Sequence, residues 1–127
     1  MTTKELKKIV KDFMAERDWL NQPPADVAKS IVIEAAELLE HFQWSDFFSE
    51  DVSKDPEAKQ EIVEELADVF IYAIEMSILL DCDMTDIVTA KLNKAAKKYP
   101  VGVVNGKLGS KKYKDIKKKH RIEQASK

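Results

Sequence analysis

A chain of 127 residues that is 44% hydrophobic can bury a core of its own, which excludes a disordered linker or a miniature that depends on disulfides. One cysteine forms no internal disulfide, and three Gly and four Pro beside abundant Ala, Leu, Ile, Lys and Glu favour long helices over many short strands and turns. The net charge of −2 hides a polarity: from Lys107 to Lys127 nine Lys or Arg face Asp115 and Glu123, a balance of +7 that leaves −9 on residues 1 to 106.

The start, Met1-Thr2-Thr3-Lys4-Glu5, lacks the apolar core of a signal peptide and, with Cys82 alone, points to a reducing cytoplasm. Thr2 and Glu5 are spaced to cap a first helix, whose apolar Leu6, Ile9, Val10, Phe13 and Met14 recur at helical spacing until Asn21-Gln22-Pro23-Pro24 stops it. Asp26 is placed to cap a second helix through Val27, Ile31, Glu34, Leu38 and Phe42, and polar Ser45 to Lys54 reads as a loop. Asp55 before Pro56 starts a third helix that continues to about Asp81. Its most apolar part, Leu66 to Leu80, is broken by Asp68 and Glu75 and is shorter than the roughly 20 residues a bilayer needs, so it reads as a buried helix and no membrane partner is expected. Asp83 and Thr85 are alternative caps for a fourth helix running through Ile87, Val88, Leu92 and Ala95 to Tyr99-Pro100. Val101 to Ser110 holds all three glycines and is expected to be irregular, with Lys111 to Lys127 weakly helical at best.

These elements predict an all-α fold, a four-helix bundle of antiparallel helices over residues 1–106 followed by a basic tail over 107–127. A basic end run can attract nucleic acid, but it is also the composition of a solvated tail, and charge alone assigns it no nucleic-acid partner. The third helix carries Leu66, Val69, Phe70, Ile71, Ala73, Ile74, Ile78 and Leu80 around most of its circumference, which marks a helix with partners on every side and predicts completion of the bundle by homo-oligomerisation.

Within that helix Glu61, Glu65, Asp68, Tyr72 and Glu75 share one narrow sector at 100° per residue, and in the second helix Ser30, Glu34, Glu37 and His41 do the same. The i, i+3 spacing of Glu34/Glu37 and of Glu65/Asp68 puts each pair about 5–6 Å apart at Cβ. Like charges at about 5 Å repel by roughly 3 kcal/mol at an effective dielectric of about 20, so the cluster calls for protons or a cation. Oxygen-only ligands on rigid helices suit Mg²⁺, with Mn²⁺ as a substitute, whereas zinc normally recruits His or Cys. A di-iron carboxylate bundle would need Glu-x-x-His twice, and here Glu37 is followed by Glu40 and Asp68 by Ile71. Chance placement of good helix formers on one face is the remaining reading of any single acidic pair.

The run Ile33-Glu34-Ala35-Ala36-Glu37-Leu38-Leu39-Glu40-His41-Phe42-Gln43-Trp44, followed by Glu64-Glu65-Leu66-Ala67-Asp68-Val69-Phe70-Ile71-Tyr72, resembles the MazG-like all-α nucleotide pyrophosphohydrolases, and most closely their dCTP pyrophosphatase branch. Glu16-Arg17-Asp18-Trp19 and Lys97-Lys98-Tyr99-Pro100 are similar to further signatures of that branch. The resemblance implies an intracellular house-cleaning enzyme that converts a (deoxy)nucleoside triphosphate to its monophosphate and pyrophosphate. It implies that Glu34, Glu37, Glu65 and Asp68 bind Mg²⁺, that Glu37 orients the attacking water, and that Trp19, Trp44 and Tyr72 lie near base and sugar. Lys91, Lys98 and Tyr99, with Lys97, Lys111, Lys112 and Tyr113, resemble the family's groups near the phosphates. Aromatics at this spacing also serve as core and lysines as solvated surface, and His41 is either a neighbour of the ligands or an exposed helix end. A homodimer, or a tetramer of two dimers, is implied as well.

Two departures from the family pattern bear on base specificity: only Leu20-Asn21-Gln22 separates Trp19 from Pro23, where an aromatic-His insertion is usual, and Ala95 stands where an Asn is customary. The rival function is a non-enzymatic helical oligomeric module whose basic tail contacts nucleic acid.

Overall fold

The computed structural model describes residues 1–44, 49–104 and 110–126, and among them it is all-helical, with no strand. The helices are α1 (Thr3–Ala15), α2 (Pro24–Glu40), α3 (Ser49–Lys54), α4 (Pro56–Leu79), α5 (Met84–Lys98) and α6 (Lys111–Ala125), with a short 3-10 turn at Trp19–Asn21 between α1 and α2.

Local chemistry sets most of the boundaries. Thr2 and Glu5 form the capping box: the Thr2 side chain accepts from the Glu5 amide at 3.2 Å, and the Thr2 amide donates to the Glu5 carboxylate, a hydrogen bond that, with one from the Thr2 side chain, holds the Glu5 carboxyl below its ordinary range. Asp55 caps α4 by accepting from the Ala58 amide at 3.1 Å, with Pro56 at the first helical position. At its far end α4 closes on Asp81, at φ 47°, with the Cys82 amide donating to the Ser77 carbonyl at 3.0 Å and the Asp81 amide to Ile78 at 3.2 Å. Lys7 of α1 reaches this end and donates to the carbonyls of Ser77, at 3.1 Å, and Cys82, at 2.7 Å. Its ammonium thus sits where the helix dipole is negative.

Three expectations are corrected. Asp26 does not cap α2: the helix starts at Pro24, whose fixed φ suits the first position, and Asp26 lies in the first turn paired with Lys29 at 2.8 Å. The stretch expected as a loop forms α3 from Ser49 onward, while Ser45 to Phe48 lie outside the described residues. The tail expected to be weakly helical forms the fifteen-residue α6, capped by Ser110, which accepts from the Tyr113 amide at 3.3 Å, and tied by Tyr113 stacked on Tyr99. Residues 101–104 turn irregularly as expected, with Gly102 at φ 84°, and 105–109 lie outside the described residues. The fourth helix begins directly after Asp83, which places that residue, and not Thr85, at its start.

The chain divides into two compact units, Met1–Met84 and Thr85–Lys127. In the first, α4 runs along α2 and also packs on α1 and α3. Its core is small: Val10, Met14 and Ile74 are buried, with Leu20, Ile78, Leu79 and Met84 against them, and Val27 is buried on α2. Ile33, Leu39, Val63 and Phe70 stay about half exposed or more. In the second unit α5 and α6 join through the Tyr99–Tyr113 stack, rings 5.0 Å apart. The first unit carries eight Lys or Arg against twenty acidic residues, a net −12, and the second thirteen against three, a net +10. Among the described residues no helix is long and apolar enough to cross a membrane.

Candidate functional site

Packing of α2 on α4 brings the two acidic pairs together. Carboxylate oxygens of Glu34, Glu37 and Glu65 lie within 4.8 Å of one another, Glu34 and Glu65 half-buried and Glu37 exposed. Asp68, one turn beyond Glu65, is exposed but close enough for its charge to act on Glu34. Burial first, then the charges of Glu37, Asp68 and Glu65, push the Glu34 carboxyl above its ordinary range. This is the electrostatic signature of a site short of positive charge. An all-oxygen donor set of this kind, converging from two rigid helices, fits a hard divalent cation.

Beside the cluster lies a cavity of about 450 Å³ lined by Glu37, Glu40, His41 and Glu65. His41 Nδ1 is 3.8 Å from Glu61 Oε2, which links the end of α2 to the first turns of α4 on the side of this cavity. Glu61 belongs to the acidic sector legible in the sequence, and Glu40, at helical spacing from Glu37, is the addition.

The other candidates fall in two groups. In the first unit Tyr72 is half-buried on α4, Trp44 is 89% exposed after the end of α2, and Trp19 is 46% exposed on the 3-10 turn, edge-on to Phe13 at 5.9 Å. Arg17 covers the Phe13 ring at 3.6 Å. In the second unit Lys91, Lys98 and Tyr99 come together on a cavity of about 1010 Å³, with the Lys98 ammonium 5.2 Å from the centre of the Tyr99 ring. Lys94, Lys119 and His120, which no sequence motif singles out, line the same space, and Glu123 pairs with Lys119 at 4.0 Å. The spacing of Tyr113, Ile116 and His120 along one face of α6 carried that signal.

Residues 29–116 match the MazG-like family model, a span from the body of α2 into α6 that includes all four clustered carboxylates. The chain belongs to the MazG-like family. Over 107 residues it is 31% identical to dCTP pyrophosphatase 1 of Mus musculus and equally to that of Rattus norvegicus, covering 83% of the chain and 63% of each relative. It therefore spans somewhat less than two thirds of these curated relatives. Among solved structures, a pyrophosphatase from Archaeoglobus fulgidus is 38% identical with a TM-score of 0.68, over 76% of this chain and 91% of that one. The MazG-like match thus agrees with the resemblance carried by Glu34-Ala35-Ala36-Glu37 and Glu65-Leu66-Ala67-Asp68.

Proposed function

We propose that the chain is a Mg²⁺-dependent nucleoside triphosphate pyrophosphohydrolase that releases a nucleoside monophosphate and pyrophosphate, working in the cytoplasm to clear unwanted nucleotides. The observation that carries this reading is the convergence of Glu34, Glu37 and Glu65 within 4.8 Å, with Asp68 adjacent, in a member of a family whose matched relatives are named pyrophosphatases.

Glu34, Glu37, Glu65 and Asp68 would hold the cation. When bound, Mg²⁺ neutralises charge on the triphosphate and on the pyrophosphate leaving group and lowers the pKa of nearby water. Glu37, exposed and lining the cavity, orients the attacking water and takes its proton at a carboxylate oxygen. Water adds to phosphorus, the bond between the α- and β-phosphates breaks, and one water is consumed per nucleotide. Trp19, Trp44 and Tyr72 offer ring faces to the base, while for Lys91, Lys98 and Tyr99 a role at the phosphates is supported by the family resemblance alone. Half-exposed apolar residues on α2 and α4, such as Ile33 at 53% and Phe70 at 55%, support assembly of a homodimer, or of two dimers, across these faces to complete the bundle.

The test is pyrophosphate release from a panel of canonical and modified nucleoside triphosphates, with Mg²⁺ and with EDTA. Release that requires Mg²⁺ and falls about 100-fold or more in Glu65→Gln and Asp68→Asn is the expected result. The net +10 of the second unit favours one alternative, a module that holds nucleic acid. A folded protein that is silent across the panel yet shifts DNA in a salt-sensitive way would establish it.

A further inference from the structure

Glu75 is the one carboxyl among the buried polar residues described, 2% exposed, and it takes no part in the cluster of ligand candidates. Its burial pushes the carboxyl up, and a carboxyl in such surroundings lowers stability unless its partners compensate. The partner is specific: Gln22 Nε2 donates to Glu75 Oε2 at 3.2 Å, across 53 positions of sequence.

Gln22 closes the 3-10 turn that carries Trp19, its own amide reaching back to the Trp19 carbonyl at 3.4 Å. That turn is otherwise attached lightly. It leaves α1 through Asp18 in the left-handed region at φ 57°, rests Leu20 on the small core, and sets Trp19 against Phe13. Glu75 in turn lies one helical turn beyond Tyr72 on α4, in the same sector as Glu65 and Asp68. The hydrogen bond therefore joins the segment bearing Trp19 to the stretch of α4 bearing Tyr72.

We infer that Gln22 and Glu75 form a positioning clasp that sets the Trp19 turn against α4 and so determines which nucleobase the site accepts. The inference rests on the pyrophosphohydrolase reading above, in which Trp19 and Tyr72 face the base. In this reading the clasp acts through the placement of Trp19. An apolar pair would serve the core equally well, but an amide and a carboxyl fix the turn in one register, since a polar contact is satisfied in few geometries.

The experiment measures KM and kcat over the nucleotide panel for the wild type, for Gln22→Ala, and for the exchange in which Gln22→Glu is combined with Glu75→Gln, with thermal unfolding of each. The expected result for Gln22→Ala is a KM raised about threefold to tenfold for the preferred nucleotide, with kcat little changed and the preference between bases flattened. The exchange, which restores a carboxyl–amide pair, brings KM and preference back. An active wild type whose KM and preference survive Gln22→Ala, with only the melting temperature moved, overturns the clasp and leaves the enzymatic reading standing. Failure of the exchange to restore the preference overturns it too. A folded wild type that hydrolyses nothing overturns both.

Discussion

Glu34 concentrates the electrostatics of the carboxylate cluster: it is half-buried, and three neighbouring carboxylates act on it. Folding raises its pKa from the ordinary 4.5, so the folded state holds this proton more tightly than the unfolded chain. The group therefore adds stability below pH 4.5, and that stability is lost as pH rises through the raised value. Glu75, raised by burial, acts with the same sign. In metal-free protein the melting temperature is expected to decline over this window, and Mg²⁺ is expected to restore it above the window, by roughly 2.7 kcal/mol at about one hundred times its Kd. In Glu34→Gln both the decline and the recovery by Mg²⁺ should shrink, which thermal unfolding over pH with Mg²⁺ or EDTA will measure. If Mg²⁺ leaves the melting temperature unchanged at neutral pH, the cluster is not a cation site.

At the level of the helices, the caps and the paired carboxylates could be read from the sequence because their chemistry is local: Thr2 with Glu5, Asp55 with Pro56, and Glu34, Glu37, Glu65 and Asp68 each one turn apart. Asp26 misleads because Pro23-Pro24 already sets the helix start, and α6 reads as only weakly helical because its few apolar residues give a faint period, whereas the ring stack on Tyr99 and the Ser110 cap hold it. Contacts far apart in sequence were beyond reach altogether. Lys7 is the example, 70 and 75 residues from the carbonyls of Ser77 and Cys82 that it ties down at the end of α4. Replacing it as Lys7→Met keeps most of the apolar stem and removes the charge, and should lower stability by about 2 kcal/mol in chemical denaturation. A loss within about 0.5 kcal/mol would mean that water satisfies those carbonyls equally well.

For the whole molecule, the fold class is legible in composition and periodicity, and so is the charge polarity, since α5 with Lys91, Lys94, Lys97 and Lys98 extends the basic character of the tail through the second unit. The apolar girth of α4 was also legible, and the described chain leaves Leu66 39% and Phe70 55% exposed. Light scattering is expected to give the mass of two or four 14.5 kDa chains, and Phe70→Asp to shift it toward smaller species with a lower melting temperature. A wild type that stays monomeric at high concentration would remove the oligomeric reading. The −12 and +10 of the two units bear on handling as well. Seen from a distance beyond the screening length of the buffer, such a polyampholyte is nearly neutral, yet near its surface it should be retained by both anion- and cation-exchange resins. Dilute salt should therefore raise its solubility, because ions screen the attraction between unlike units of neighbouring molecules before they compete for water.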